Sequence, residues 1–188
     1  MLTLGILHES LIRWTPDPVR VLAQLTAFTR ERIDAASGMR RRLGTPDSVQ
    51  VLTELAGGAR GLYHLSGVTR FGPGSQIHLY GSEATIKVEL TPDERVWSAR
   101  RGDAGLREVD VPQAEQGGWR VEADWIDSIR TGAPVQLTDF ATGVRYMEFT
   151  EAVVRSASTG AAVGLPLEDD ADADDRSDSS QQRRERRT

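Results

Sequence analysis

The sequence predicts an α+β fold: an open-faced, predominantly antiparallel (mixed) β-sheet with helices packed on one of its faces. Three observations carry this. Residues 49–111 hold a succession of short β-patterned runs separated by glycine turns, the pattern of hairpin-linked strands. Residues 119–167 then read as helix, connector, helix and a short extended end, so the strands come first and the helices follow. Within residues 84–90, Ala84, Ile86, Val88 and Leu90 alternate with Thr85, Lys87 and Glu89, which gives one packed face and one wet face.

In order, residues 5–14 read as a short helix, with Ile6, Leu7, Leu11 and Trp14 on one side and His8, Glu9 and Arg13 towards another. Thr15-Pro16-Asp17-Pro18 ends it, because each proline lacks a donor and biases its predecessor away from helix. Residues 19–30 alternate as a strand, with Val19, Val21, Ala23, Leu25 and Ala27 on one side. Residues 33–47, which include Arg40-Arg41-Arg42, are rich in Gly, Arg and Pro and read as a surface connection. Residues 49–55 and 59–69 form a hairpin across Gly57-Gly58, and 71–75 form a turn. Residues 76–80 pair with 84–90 across Gly81-Ser82-Glu83, and 95–99 pair with 106–111. In the last helix Thr138 and Asp139 stand where a side-chain oxygen caps the first turn. Phe140, Val144, Met147, Val154 and Ala157 form its apolar stripe, widened by Tyr146, Phe149 and Val153, and Gly160 suits a left-handed C′ position.

Composition sets the bounds. A chain of 188 residues suits one domain, here 1–167, followed by a tail 168–188. The tail is acidic and then basic, holds no apolar residue larger than alanine, and is expected to be disordered. The net charge of −5 argues against nucleic acid as a partner. There is no cysteine, so disulfide and thiol chemistry are excluded. No apolar run approaches the ~20 residues of a membrane span, and the first residues lack a basic n-region. No membrane partner and a cytoplasmic location are expected.

The glycine clusters at residues 57–61, 72–74 and 102–105 all lie between strands, so the strand–glycine turn–helix fingerprint of a Rossmann domain is absent and no cofactor site is expected on this chain. His8-Glu9 lacks the second histidine of a zinc helix, since the fifth position is Ile12, and no metal is expected. His64 and His78 sit mid-strand, where they could face each other across the sheet. No Gly-x-Ser-x-Gly elbow occurs. Lys87 is the one lysine among 23 basic side chains.

Together these blocks resemble the C-terminal domain of the Gfo/Idh/MocA oxidoreductases, the glucose–fructose oxidoreductase and inositol dehydrogenase family. Residues 5–14 look like the family's entry helix, ending in Arg13-Trp14 before a strand at 19–23. Residues 77–86 resemble its strand–Gly-x-Glu-Gly-Thr–strand hairpin, with Ala84 at the second glycine. Residues 125–132 resemble its aromatic-led helix ending in glycine, and Ser156 to Gly160, through Leu165-Pro166, its closing segment. The resemblance implies a sheet that supplies substrate contacts and a homo-oligomer interface. In the family a preceding Rossmann domain binds NAD or NADP and carries a Glu-Lys-Pro motif; this chain holds neither. Aligned on Gly5 and Trp14, the family's histidine position falls on Leu7, with His8 one residue over, about 100° around a helix.

The sequence therefore reads as the substrate-binding and assembly half of an NAD(P)-dependent oxidoreductase of a sugar-like or polyol substrate. It is expected to show no dehydrogenase turnover alone and to work with a Rossmann domain upstream or in trans. His8 is the expected catalytic residue, and Glu9, Arg13, His64 and Tyr80 the expected substrate contacts. The other reading is a non-catalytic oligomerisation domain derived from that family.

Overall fold

The computed structural model describes residues 2–118, 120–135, 137 and 139–168. The expectations for Trp119, Thr138 and the tail beyond Glu168 lie outside these residues. In chain order come α1 (Leu2–Leu11), β1 (Pro18–Thr26), β2 (Glu31–Ile33), β3 (Arg40–Arg42), β4 (Ser48–Leu55), β5 (Arg60–Ser66), β6 (Gln76–Tyr80), β7 (Ala84–Glu89), β8 (Arg95–Arg100), β9 (Arg107–Val109), α2 (Val121–Thr131), α3 (Phe140–Thr159) and β10 (Val163–Gly164). They fall into two compact units, one from residues 1–68 with 134–188 and one from residues 69–133.

In the first unit the expected hairpin forms. β4 and β5 pair antiparallel, with Gly57 and Gly58 at φ of 88° and 92°, a region a side chain would strain. β1 pairs with β4 and β10 with β1, giving the antiparallel order β10-β1-β4-β5. Along β1, Val21 and Ala23 point inward and are buried. A register irregularity between Pro18 and Arg20 accompanies the one break in the expected alternation, an exposed Val19.

α1 and α3 cover the inner face, and the core is Leu4, Val21, Ala23, Val49, Val51, Phe149, Ala152 and Val153. α1 turns a different side inward from the one its sequence suggested, and α3 buries Phe149 and Val153 from the widened part of its expected stripe. α1 begins earlier than expected and buries Leu4, Gly5 and His8, while Ile6 and Trp14 are exposed. Gly5 brings the helix close to α3, since a Cβ there would sit 3.5 Å from the Thr150 methyl. α3 is capped as expected at both ends: Asp139 accepts from the Thr142 backbone N–H at 2.7 Å, and Gly160 takes φ 68°. Its buried side is Phe149, Thr150, Ala152, Val153 and Ser156, whereas Phe140, Val144, Met147 and Val154 of the expected stripe are exposed. The helix is apolar on two sides, and small residues decide which one meets the sheet. Ala152 and Ser156 allow close approach, and the Ser156 hydroxyl accepts from the Ala23 N–H at 2.9 Å and donates to the Ala161 carbonyl at 2.6 Å.

Residues 33–47 are more ordered than a plain connection. β2 and β3 form a two-stranded antiparallel ribbon. Asp34 builds its turn by accepting from the Ala36 N–H and the Ser37 hydroxyl, and Gly38 follows at φ 66°. All but Ile33 of the six strand residues are charged, so no apolar alternation announced them. Beyond the ribbon, Asp47 accepts from the N–H groups of Phe28 and Thr29, both at 2.8 Å, and these bonds hold its carboxyl below the usual range.

The second unit is an antiparallel meander, β6-β7-β8-β9, together with α2. One face carries the cross-strand row Ile77–Val88–Val96–Val109 and the other His78–Lys87–Trp97–Glu108. Lys87 donates to Glu89 at 2.5 Å, and its bond is the chief cause of that carboxyl's lowered pKa. α2 ends at Gly132 with φ 69°, and none of its residues is buried. The strands thus form separate ladders where the sequence suggested one sheet. Among the described residues no helix is long and apolar enough to cross a membrane.

Candidate functional site

α1 divides its three candidate residues between core and surface. His8 is 2% exposed. Its imidazole stacks on the Phe149 ring at 3.6 Å between centroids and 16° between planes, and its Nδ1 lies 2.9 Å from the Tyr63 hydroxyl. Burial dominates its electrostatics: it lowers the His8 pKa from 6.5 to about 4, against a smaller opposing pull from Asp17. Burial likewise raises the Tyr63 pKa. At neutral pH the pair is therefore uncharged, one hydrogen bond inside a ring cluster of α1, β5 and α3. The residue expected at the substrate is, in this chain, a core contact. Glu9 and Arg13, one turn apart, form an ion pair on the accessible side of the same helix.

His64 lies elsewhere. Tyr63 and Leu65 pack inward against the core, so His64 between them points to the outer face of the sheet, opposite Gln50. The sheet separates His8 from His64, and one small substrate cannot touch both. His64 and His78 are not cross-strand partners: His64 pairs with Gln50 and His78 with Lys87. Tyr80, in the second unit, is 77% exposed, and its hydroxyl lies 2.9 Å from His78 Nδ1.

The outer face of the first sheet is ordered in rows. Leu22, Leu52 and Leu62 stand side by side across β1, β4 and β5 and are 41%, 54% and 69% exposed. Beside them Arg20 and Arg60 flank Glu54, at 3.8 and 3.4 Å. Arg20, Leu22, Leu52, Glu54 and Arg60 of these rows line a depression of about 400 Å³ that Ala162 borders. Two guanidiniums share one carboxylate, so donors remain for a hydroxyl or an anion. Beneath, Thr53 points inward with its Oγ1 buried and without a hydrogen-bond partner among the described residues. Its neighbour must be Gly61, because a Cβ there would lie 2.4 Å from that oxygen. Tyr63 and Thr53 escaped the sequence reading; the inward parity of Tyr63 with Leu65 was the available signal for the first.

Among the described residues no strand–turn–helix unit of the kind that receives a dinucleotide's pyrophosphate is formed. Such a pyrophosphate needs a parallel β-α-β unit and an open helix N-terminus. Every strand pairing among the described residues is antiparallel. The start of α3 is occupied by the Asp139 carboxylate, which disfavours a phosphate. No group of three or more His, Asp or Glu among the described residues is placed to hold a metal ion.

No protein-family profile and no curated protein matches the sequence. Solved structures do match in fold. Levoglucosan dehydrogenase, in complex with NADH and L-sorbose, superposes with a TM-score of 0.74 at 20% identity, over 87% of this chain and 49% of that one. Aldose-aldose oxidoreductase from Caulobacter crescentus, complexed with glycerol, gives 0.66 at 15% identity, over 86% of this chain and 46% of that one. The WlbA dehydrogenase from Bordetella pertussis, in complex with NADH and UDP-GlcNAcA, gives 0.63 at 16% identity, over 89% and 46%. The chain spans about half the length of the structures it matches.

Proposed function

Starting from a chain folded like the C-terminal domain of the Gfo/Idh/MocA oxidoreductases, we propose that it is the substrate-binding and assembly half of an NAD(P)-dependent oxidoreductase of a sugar-like or polyol substrate. The observation that carries this is the half-length match to enzymes solved with NADH and with sugars or glycerol. The dinucleotide-binding half is a separate stretch of polypeptide, and the nicotinamide it holds takes up or gives hydride. This chain's own part is to bind and orient the substrate. The Glu9–Arg13 pair of the first unit is the proposed contact with vicinal hydroxyls. His8 acts as a positioning residue, holding α1 through Phe149 and Tyr63. A cytoplasmic location belongs to the same reading.

The test is a titration of the purified chain with NADH, NADPH and a polyol panel that includes levoglucosan, L-sorbose and glycerol. Energy transfer from the tryptophans to nicotinamide is expected to be absent at micromolar cofactor. Amide shifts at Glu9 and Arg13 are expected with at least one polyol at millimolar concentration. Saturable energy transfer would place a cofactor site on this chain and overturn the division of labour. Silence across the panel would remove the substrate role.

The leucine row favours a second reading, a non-catalytic assembly module that pairs through the open sheet face. Light scattering separates the two: a homo-oligomer that ignores every polyol supports assembly alone, and a strict monomer eliminates it.

A further inference from the structure

We propose that the hollow at the base of the β2–β3 ribbon binds a phosphate monoester of metabolite size, gripped by Arg30 and Arg42, on other elements than the Glu9–Arg13 pair of α1. Residues 30–43 gather charge of one sign: five arginines and two carboxylates, in a chain whose net charge is −5. Both carboxylates are committed, Glu31 to Arg40 at 3.2 Å and Asp34 to Arg41 at 2.9 Å. Arg30, Arg32 and Arg42 have no ion-pair partner among the described residues. Arg32 also stands directly opposite Arg41, and like charges so placed across two strands are destabilising. The turn itself needs none of these arginines, since Asp34 and Gly38 build it.

Arg30 and Arg42 line one open hollow of about 620 Å³, whose apolar wall is Leu25, Ala27 and Leu43. Small-molecule sites span about 300–1,000 Å³. Arg32 is on the opposite face of the ribbon, because Arg42 stands across from its neighbour Glu31. The rim is fixed by hydrogen bonds: the Leu43 N–H donates to the Arg30 carbonyl at 2.8 Å and the Asp47 N–H to the Thr26 carbonyl at 3.0 Å. The Asp47 carboxylate is taken up by the N–H groups of Phe28 and Thr29. Glu31 also lines the hollow, its charge met by Arg40.

The ligand class follows from the donors. A guanidinium presents a planar fork that matches two oxygens of one anion. A carboxylate occupies one such fork. A phosphate monoester carries about −1.5 to −2 charge at neutral pH and three terminal oxygens, so it can engage two. Its organic part then has Leu25, Ala27 and Leu43 to lie against.

The probe is phenyl phosphate, titrated into the whole chain beside benzoate and phenol and followed by amide shifts. Saturable shifts are expected at Thr26, Arg30, Arg42 and Leu43 with phenyl phosphate at millimolar concentration, and binding about tenfold weaker or worse with the other two. Arg30→Gln and Arg42→Gln are each expected to weaken phenyl phosphate about tenfold, Arg32→Gln by less than about twofold, and all three to keep the melting curve in place. Absence of saturable shifts overturns the site. Benzoate binding as tightly as phenyl phosphate overturns the phosphate, and phenol doing so reduces the hollow to an apolar patch. A loss in Arg32→Gln equal to that in Arg42→Gln overturns the two-arginine grip, leaving only diffuse positive charge.

Discussion

The two faces of the first sheet are made by the same strands on opposite terms. Inward, Val21, Ala23, Val49 and Val51 interlock with Phe149, Ala152 and Val153, and nothing repeats except close fit. Outward, the register lines up residues of like chemistry: Arg20–Glu54–Arg60, then Leu22–Leu52–Leu62, then Gln24–Gln50–His64. A core is organised by shape, because its contacts are made by burial. Rows running across strands serve a core no better than any other arrangement, but they suit a surface that meets another surface. The inner face carries the packed core, and the outer face carries the exposed rows.

That contrast can be broken from the inside first. Phe149→Ala opens a hole under His8 and Tyr63 and is expected to cost about 3–5 kcal/mol in urea unfolding. Acid comes next. His8 has a folded pKa of about 4 against an ordinary 6.5, so the unfolded chain takes the proton first. Stability is whole above about pH 6.5 and falls as pH drops towards 4, by up to about 3 kcal/mol; His8→Phe should flatten that part of the profile. Ser156→Ala leaves the Ala23 N–H and the Ala161 carbonyl without their partner and should cost about 1–3 kcal/mol. Thr53→Val removes an unpaired buried oxygen and is expected to raise stability by about 1 kcal/mol; a loss would mean that Oγ1 has a partner in solution. On the outer face Leu62→Gln should move stability by less than about 0.5 kcal/mol; under the assembly reading proposed above it also lowers the mass seen by light scattering. An effect on unfolding as large as that of Phe149→Ala would erase the distinction between the faces.

What the sequence made legible was local chemistry. The glycines at 57–58, 132 and 160 and the Asp139 cap stand where turns and helix ends were expected. The clean alternation of residues 84–89 gave a strand in the expected place. What it hid were choices among equals. Periodicity shows that α3 is apolar but cannot choose between two apolar sides, and the choice falls to Ala152 and Ser156, which are small enough to approach β1. In α1 one residue is about 100° of rotation, enough to carry His8 from the expected site into the core. The ribbon of β2 and β3 holds a single apolar residue, Ile33, so no alternation marked it and only Asp34 and Gly38 did. The candidate site was the least legible part, because whether His8 and His64 share a side depends on sheet parity and on which helix lies above.

The bond from Ala23 to Ser156 joins residues 133 positions apart, and that separation sets an order of events during synthesis. β1, β4 and β5 can pair as soon as residue 66 has left the ribosome. The helix that covers Val21, Val49 and Val51 follows only after the whole of residues 69–133. At ordinary translation speeds the interval is on the order of ten seconds. For that time half the core of the first unit is a bare β surface, which makes the nascent chain, more than the finished protein, the form that most needs a chaperone.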